Sequence, residues 1–217
     1  AVLTASGPAA RAQVAPSSAE VAAYTGLHAA AHRGNVAKIH KLLSQKHKID
    51  ARDPYGRTPL MVAVFANKLD AAAALMDAGA NTDLLENDKY AALTIAAVAG
   101  NTEMVKLLIK KGARTDLTTS VYDGTALIAA AHLGHHEVVK VLIDNLSTRD
   151  TCIRDLAAES LCWLDSARTI LLDRIIQEKD MDLCAIYAKI LRPHATKFRA
   201  NQIKRLTDHL NKLMDGD

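Results

Sequence analysis

The chain has 217 residues, 49% of them hydrophobic and 24% charged, with a formal net charge of +3. A chain this long buries about 70–75% of its unfolded surface, so it needs no disulfide or metal staple, and high apolar content with small net charge excludes disorder over most of its length. Its most apolar stretches, such as Ala91–Gly100, fall short of the roughly 20 residues a membrane-spanning helix needs, and the slight basic excess does not by itself imply a nucleic-acid partner.

Residues 1–18 form an Ala/Ser/Pro-rich lead-in with two readings. In one it is the remnant of a secretory signal peptide, with Ala10 and Ala12 as the A-x-A cleavage pattern and Gln13 near the mature start. That reading implies export from a bacterial cell, to the periplasm or beyond. In the other it is a flexible leader, and the protein is cytoplasmic.

From Glu20 the chain repeats itself. Thr25-Gly-Leu27-His28-Ala-Ala30-Ala31 recurs from Thr58, Ala91 and Thr125, at spacings of 33, 33 and 34. Each copy is followed by an apolar pair: Leu42/Leu43, Leu75/Met76, Leu108/Ile109 and Leu142/Ile143. The Leu-x-x-Ala-Ala spacing makes a narrow apolar helix face on which small residues allow close approach. The threonines are candidate helix caps, and Pro59 suits a first helical position. Gly34, Asn67, Gly100 and Gly134 can end the first helix of each unit with positive φ. The apolar pairs face inward from second helices such as Thr102–Lys110. Scarce aromatics and abundant alanine also favour packed helices over a β-sandwich.

This pattern resembles the ankyrin repeat, with its Thr-Pro-Leu-His-x-Ala-Ala, Gly, Leu-Leu and Gly-Ala signature, over about Glu20 to Ile143. Asn67 in place of Gly and the missing Gly-Ala of the fourth unit depart from it. The resemblance implies an all-α ankyrin-repeat solenoid of helix-turn-helix units with β-turn fingers. Repeats start near 20, 53, 86 and 120 within residues 19–147, and C-terminal capping helices follow. It also implies that His28 bonds turn backbone, and that a partner protein binds the finger tips and first-helix ends along a concave strip.

Four of the five tyrosines fall one per unit, just before the Thr position: Tyr24, Tyr55, Tyr90 and Tyr122. Tyrosine offers amphipathic contact area at low entropic cost, so this placement points to binding, against packing of neighbouring fingers as the alternative. Arg57 and the first-helix residues His32, Arg33, Phe65 and His132 complete the expected partner-binding set.

Residues 148–217 continue as helices: a degenerate fifth repeat or cap, then Met181–Leu191 and Asn201–Met214. Cys152, Cys162 and Cys184 have no C-x-x-C spacing and read as buried thiols, with a Cys152–Cys162 bridge as the alternative in an oxidising compartment. A basic run of Lys189, Arg192, Lys197, Arg199, Lys204 and Arg205 offers an alternative anion-binding surface for nucleic acid or membrane, though a solvated helix face is the preferred reading. His132, His135 and His136 read as structural, because Gly134 interrupts the helix they would need to share to bind a metal. No catalytic constellation is present, so the expectation is a non-enzymatic protein-binding module without cofactor, metal or small-molecule substrate. An accessory or targeting subunit of an enzyme is the other alternative.

Overall fold

Helices of seven to nine residues are marginal alone and depend on neighbours that bury their apolar faces. The computed structural model describes residues 15–119 and 125–145, together with Lys204 and Asp208. The described helices are α1 (Ser18–Ala23), α2 (Gly26–Arg33), α3 (Val36–Ser44), α4 (Pro59–Phe65), α5 (Leu69–Asp77), α6 (Ala92–Val98), α7 (Thr102–Lys110), α8 (Ala126–His132) and α9 (His136–Asp144). Residues 1–14 of the lead-in, the turn at 120–124, the expected fifth repeat with its cysteines, and the two terminal helices apart from Lys204 and Asp208 lie outside the described residues.

Two layers result. First helices α2, α4, α6 and α8 pack in series, and second helices α3, α5, α7 and α9 pack in series beside them. Each first helix also packs on the second helix of its own unit. The predicted face is the core: Leu27, Ala30, Ala31, Leu60, Ala63, Val64, Leu93, Ala96, Ala97, Leu127, Ala130 and Ala131 are all buried. From the second layer, Leu75, Leu108 and Leu142 fill the space between units.

The expected turn residues do adopt positive φ, at +70° for Gly34, +51° for Asn67, +65° for Gly100 and +74° for Gly134. At Gly100 space matters as well as conformation, since a β-carbon there would sit 2.8 Å from the His135 ring. That ring makes a 3.0 Å hydrogen bond from Nε2 to the Val98 carbonyl, which ties the fourth unit to the third. Behind the second helices the left-handed position is held by Gly79 at φ +92° and Gly112 at +91°, but by Lys46 at +60° in the first unit. A side chain in that conformation costs roughly 1 kcal/mol relative to glycine.

Helix starts differ in part from expectation. Thr58 Oγ1 accepts from Met61 N at 3.3 Å, and Thr125 Oγ1 accepts from Ile128 N at 3.4 Å. Thr25 makes no such cap, because the chain enters α2 through Gly26 at φ +53°. Asn35 and Asn101 instead cap α3 and α7, accepting from Lys38 N and Met104 N. The first unit also has a helix where later units carry a finger. Ser17 and Glu20 close a reciprocal box at the start of α1, so the expected repeat start near Glu20 falls inside that helix.

Candidate first-finger cleft

The turn Asp53–Arg57 projects between α1 and the next finger. Asp53 organises it: its Oδ1 accepts from Tyr55 N at 2.9 Å and Arg57 N at 2.8 Å, and its backbone pairs with Arg57 at 3.0 Å. The following finger is tied on at one repeat distance. Asn87 N donates to the Tyr55 carbonyl at 3.0 Å, Asn87 Nδ2 to the Pro54 carbonyl at 3.2 Å, and Arg52 Nη1 to the Leu85 carbonyl at 2.7 Å.

At the centre is the Arg57 guanidinium, whose residue is only 5% exposed. It lies 3.0 Å from Glu20 Oε2 and 3.9 Å from Asp53 Oδ2, and it donates to the Tyr24 hydroxyl at 3.4 Å. Its carbon sits 4.5 Å from the Tyr55 ring centre and 5.7 Å from that of Phe65, so aromatic faces supply further cation–π attraction. Tyr24 donates to Asp53 Oδ2 at 3.3 Å, stacks on His28 at 5.7 Å and leans against His32 at 6.2 Å. His28 Nε2 bonds the Arg57 carbonyl at 3.0 Å, as the resemblance implies; this makes Nε2 the protonated nitrogen. Tyr24, His28, Pro54 and Tyr55 thus wall an open cleft of about 500 Å³, with the α1 residues Ala19 and Ala23 on its other side.

Glu20 is the most perturbed acid of this site. The Tyr55 hydroxyl, the Arg57 guanidinium and the Ser17 amide all bond its carboxylate, in falling order of effect, and hold its pKa down to about 2 from an ordinary 4.5. The same bond raises the Tyr55 phenol above its usual value, because losing that proton would set two anions together. A carboxyl depressed in the folded state contributes stability above pH 4.5, and that contribution is lost as pH falls from 4.5 toward 2. Thermal melts at the two ends of this window should therefore diverge more for the natural chain than for Glu20→Gln. Equal acid sensitivity would show that the carboxylate is not held this way. Both carboxylates here are already committed to hydrogen bonds.

Of the nine residues expected to contact a partner, Tyr24, His32, Tyr55, Arg57 and Phe65 come together here. Tyr55 is exposed at 44%, while Tyr24, His32 and Phe65 are half-buried. Arg33 is exposed at the end of α2, outside the cluster. Two expectations need correction. Arg57 is an internal cation that fixes the aromatic rings rather than a surface contact. Tyr90 is 7% exposed and packs in the core, because its position immediately before Ala91 turns the ring inward, whereas Tyr55 lies two residues farther from α4. Tyr122 lies outside the described residues. His132 ends α8, and its side chain is not among the described ones. In the basic run, Lys204 is helical and exposed; Lys189, Arg192, Lys197, Arg199 and Arg205 lie outside the described residues. The sequence reading missed Glu20 as Arg57's partner, although the Ser17-x-x-Glu20 spacing signals the helix that carries it.

A family model for ankyrin repeats, three copies long, matches residues 10–85 and 75–155. Inversin from Danio rerio is 40% identical over 87 residues, covering 40% of this chain and 8% of that protein. Ankyrin repeat domain-containing protein SAT10 from Stachybotrys chartarum is 36% identical over 118 residues, 54% of this chain and 6% of that protein. Protein phosphatase 1 regulatory subunit 12A from Mus musculus is 48% identical over 61 residues, 28% of this chain and 6% of that protein. The aligned part of the chain thus spans less than a tenth of the length of each of these relatives.

Proposed function

The chain belongs to the ankyrin-repeat family, and from that premise we propose that it is a non-enzymatic module binding a partner protein at the first-finger cleft. Ankyrin repeats generally mediate protein–protein interaction. The observation that carries the reading is Tyr55: an exposed aromatic ring held by a hydrogen bond to Glu20 and by the Arg57 cation beneath it. A ring fixed before binding loses little entropy on contact, and tyrosine is enriched among residues that dominate interface energies. Tyr24, His32 and Phe65 supply adjoining apolar area, with Arg33 at the rim. In the sequence, Tyr122 and His132 stand in the fourth unit where Tyr55 and Phe65 stand in the second.

The test uses proteins retained from the native source by the immobilised chain. Tyr55→Ala should weaken binding of the retained partner by about 1–3 kcal/mol, while the melting temperature falls less than in Tyr90→Ala. Tyr90→Ala should do the reverse, because truncating a core ring costs several kcal/mol of stability. Unchanged affinity in folded Tyr55→Ala protein removes the cleft as the site. A second reading, an accessory subunit that directs an enzyme, draws on the similarity to a phosphatase regulatory subunit. It predicts that the retained partner is catalytic.

A further inference from the structure

Charge is distributed unevenly among the units. Between Glu20 and Asp50 lie 29 residues without a single Asp or Glu, and they carry Arg33, Lys38, Lys41, Lys46 and Lys48 together with four histidines. All five cations are exposed. Among the described residues none of them is ion-paired, whereas Arg57, Lys106, Lys111 and Arg114 of the later units each have a carboxylate partner. A terminal unit needs a polar outer face, but solubility is served by mixed signs. Here like charges stand three apart at Lys38 and Lys41, an arrangement that weakens a helix. The carboxyl end of α3 favours a nearby cation, which accounts for one or two of the five.

Lys46 is an independent sign. It occupies the left-handed position that Gly79 and Gly112 hold in the next two units, so the first unit keeps a lysine where its backbone favours glycine. A strained residue of this kind points to a use outside the fold.

From these observations we infer that the lysine side of the first unit, Lys38, Lys41, Lys46 and Lys48, is a second interaction surface that binds an acidic segment of a partner protein. Carboxylates suit it better than a phosphate backbone. Phosphate sites recruit hydroxyls, amides and free helix N-termini beside their cations. Here the Ser44 hydroxyl is spent on the Lys41 carbonyl at 2.8 Å, and Asn35 caps the amino end of α3 at 2.9 Å. Residues 33–48 contain no Phe, Trp or Tyr on which a base could stack, and Arg33 is their only arginine. What remains is a set of exposed ammonium groups, which matches a flexible run of Glu and Asp. The surface does not depend on the tyrosine cleft, and the two fail separately, because Tyr55→Ala leaves every lysine in place.

The experiment compares the full chain with a variant carrying Lys38→Gln, Lys41→Gln, Lys46→Gly and Lys48→Gln. The probes are a labelled oligoglutamate peptide and a labelled random-sequence DNA duplex, at low and physiological salt. The variant should bind the peptide about tenfold more weakly or worse, and the difference should shrink as salt rises. Lys46→Gly alone should raise the melting temperature while weakening peptide binding, a split that a purely structural lysine would not give. Equal peptide affinity of chain and variant overturns the proposal. So does a duplex that depends on the four lysines more strongly than the peptide does, which would make the surface a nucleic-acid site.

Discussion

Arg57→Met should destabilise the fold by about 1–3 kcal/mol, because it leaves the Glu20 and Asp53 carboxylates without the cation that both approach. The Asp53 side chain is 5% exposed and that of Glu20 20%, so neither is freely hydrated once the guanidinium is gone. The loss should exceed that of the single neutral change Glu20→Gln. It should be partly recovered when Arg57→Met is combined with Glu20→Gln and Asp53→Asn, since Asn keeps the oxygen that organises the turn. Denaturant melts of the three proteins decide the matter. A fold unaffected by Arg57→Met would mean that packing alone holds the cluster.

Leu108→Ala should cost about 2–5 kcal/mol. Leu108 is fully buried on α7, which packs between α5 and α9 and against α6, so the cavity opens where several helices meet. In a stacked array, stability is a sum of unit and interface contributions, and damage at a central unit weakens both interfaces. The melt should therefore shift sharply downward or split into two steps. An unshifted curve would contradict the packing of α7 described above.

Much of this architecture was legible because it rests on local chemistry. The Leu-x-x-Ala-Ala faces, the Pro59 helix start and the second helix Thr102–Lys110 follow from spacing alone, and each stands in the structure where the spacing puts it. The site was less legible. Tyr55 and Tyr90 look alike in the chain, yet they differ by two residues in distance from the following helix, and that offset decides which ring reaches solvent. The role of Arg57 depends on Glu20, which sits 37 positions away on a short helix that no repeat pattern announces. Periodicity describes what recurs. The first-finger cluster exists because the first unit departs from the period, with a capped helix in place of a finger, so reading by recurrence passes over it.

Several of the described ties between units have nearly the same reach. Asp50 binds the Asn81 amide, Asp83 the Arg114 amide, Arg52 the Leu85 carbonyl and Asn101 the Asn67 side chain, at separations of 31, 31, 33 and 34 residues. Each loop closed in making such a tie is therefore about equally long, and each new unit meets about the same entropic barrier as the one before. Assembly on this plan is a succession of similar short steps. The described units can begin ordering at any adjacent pair and advance from there, each closing on its neighbour.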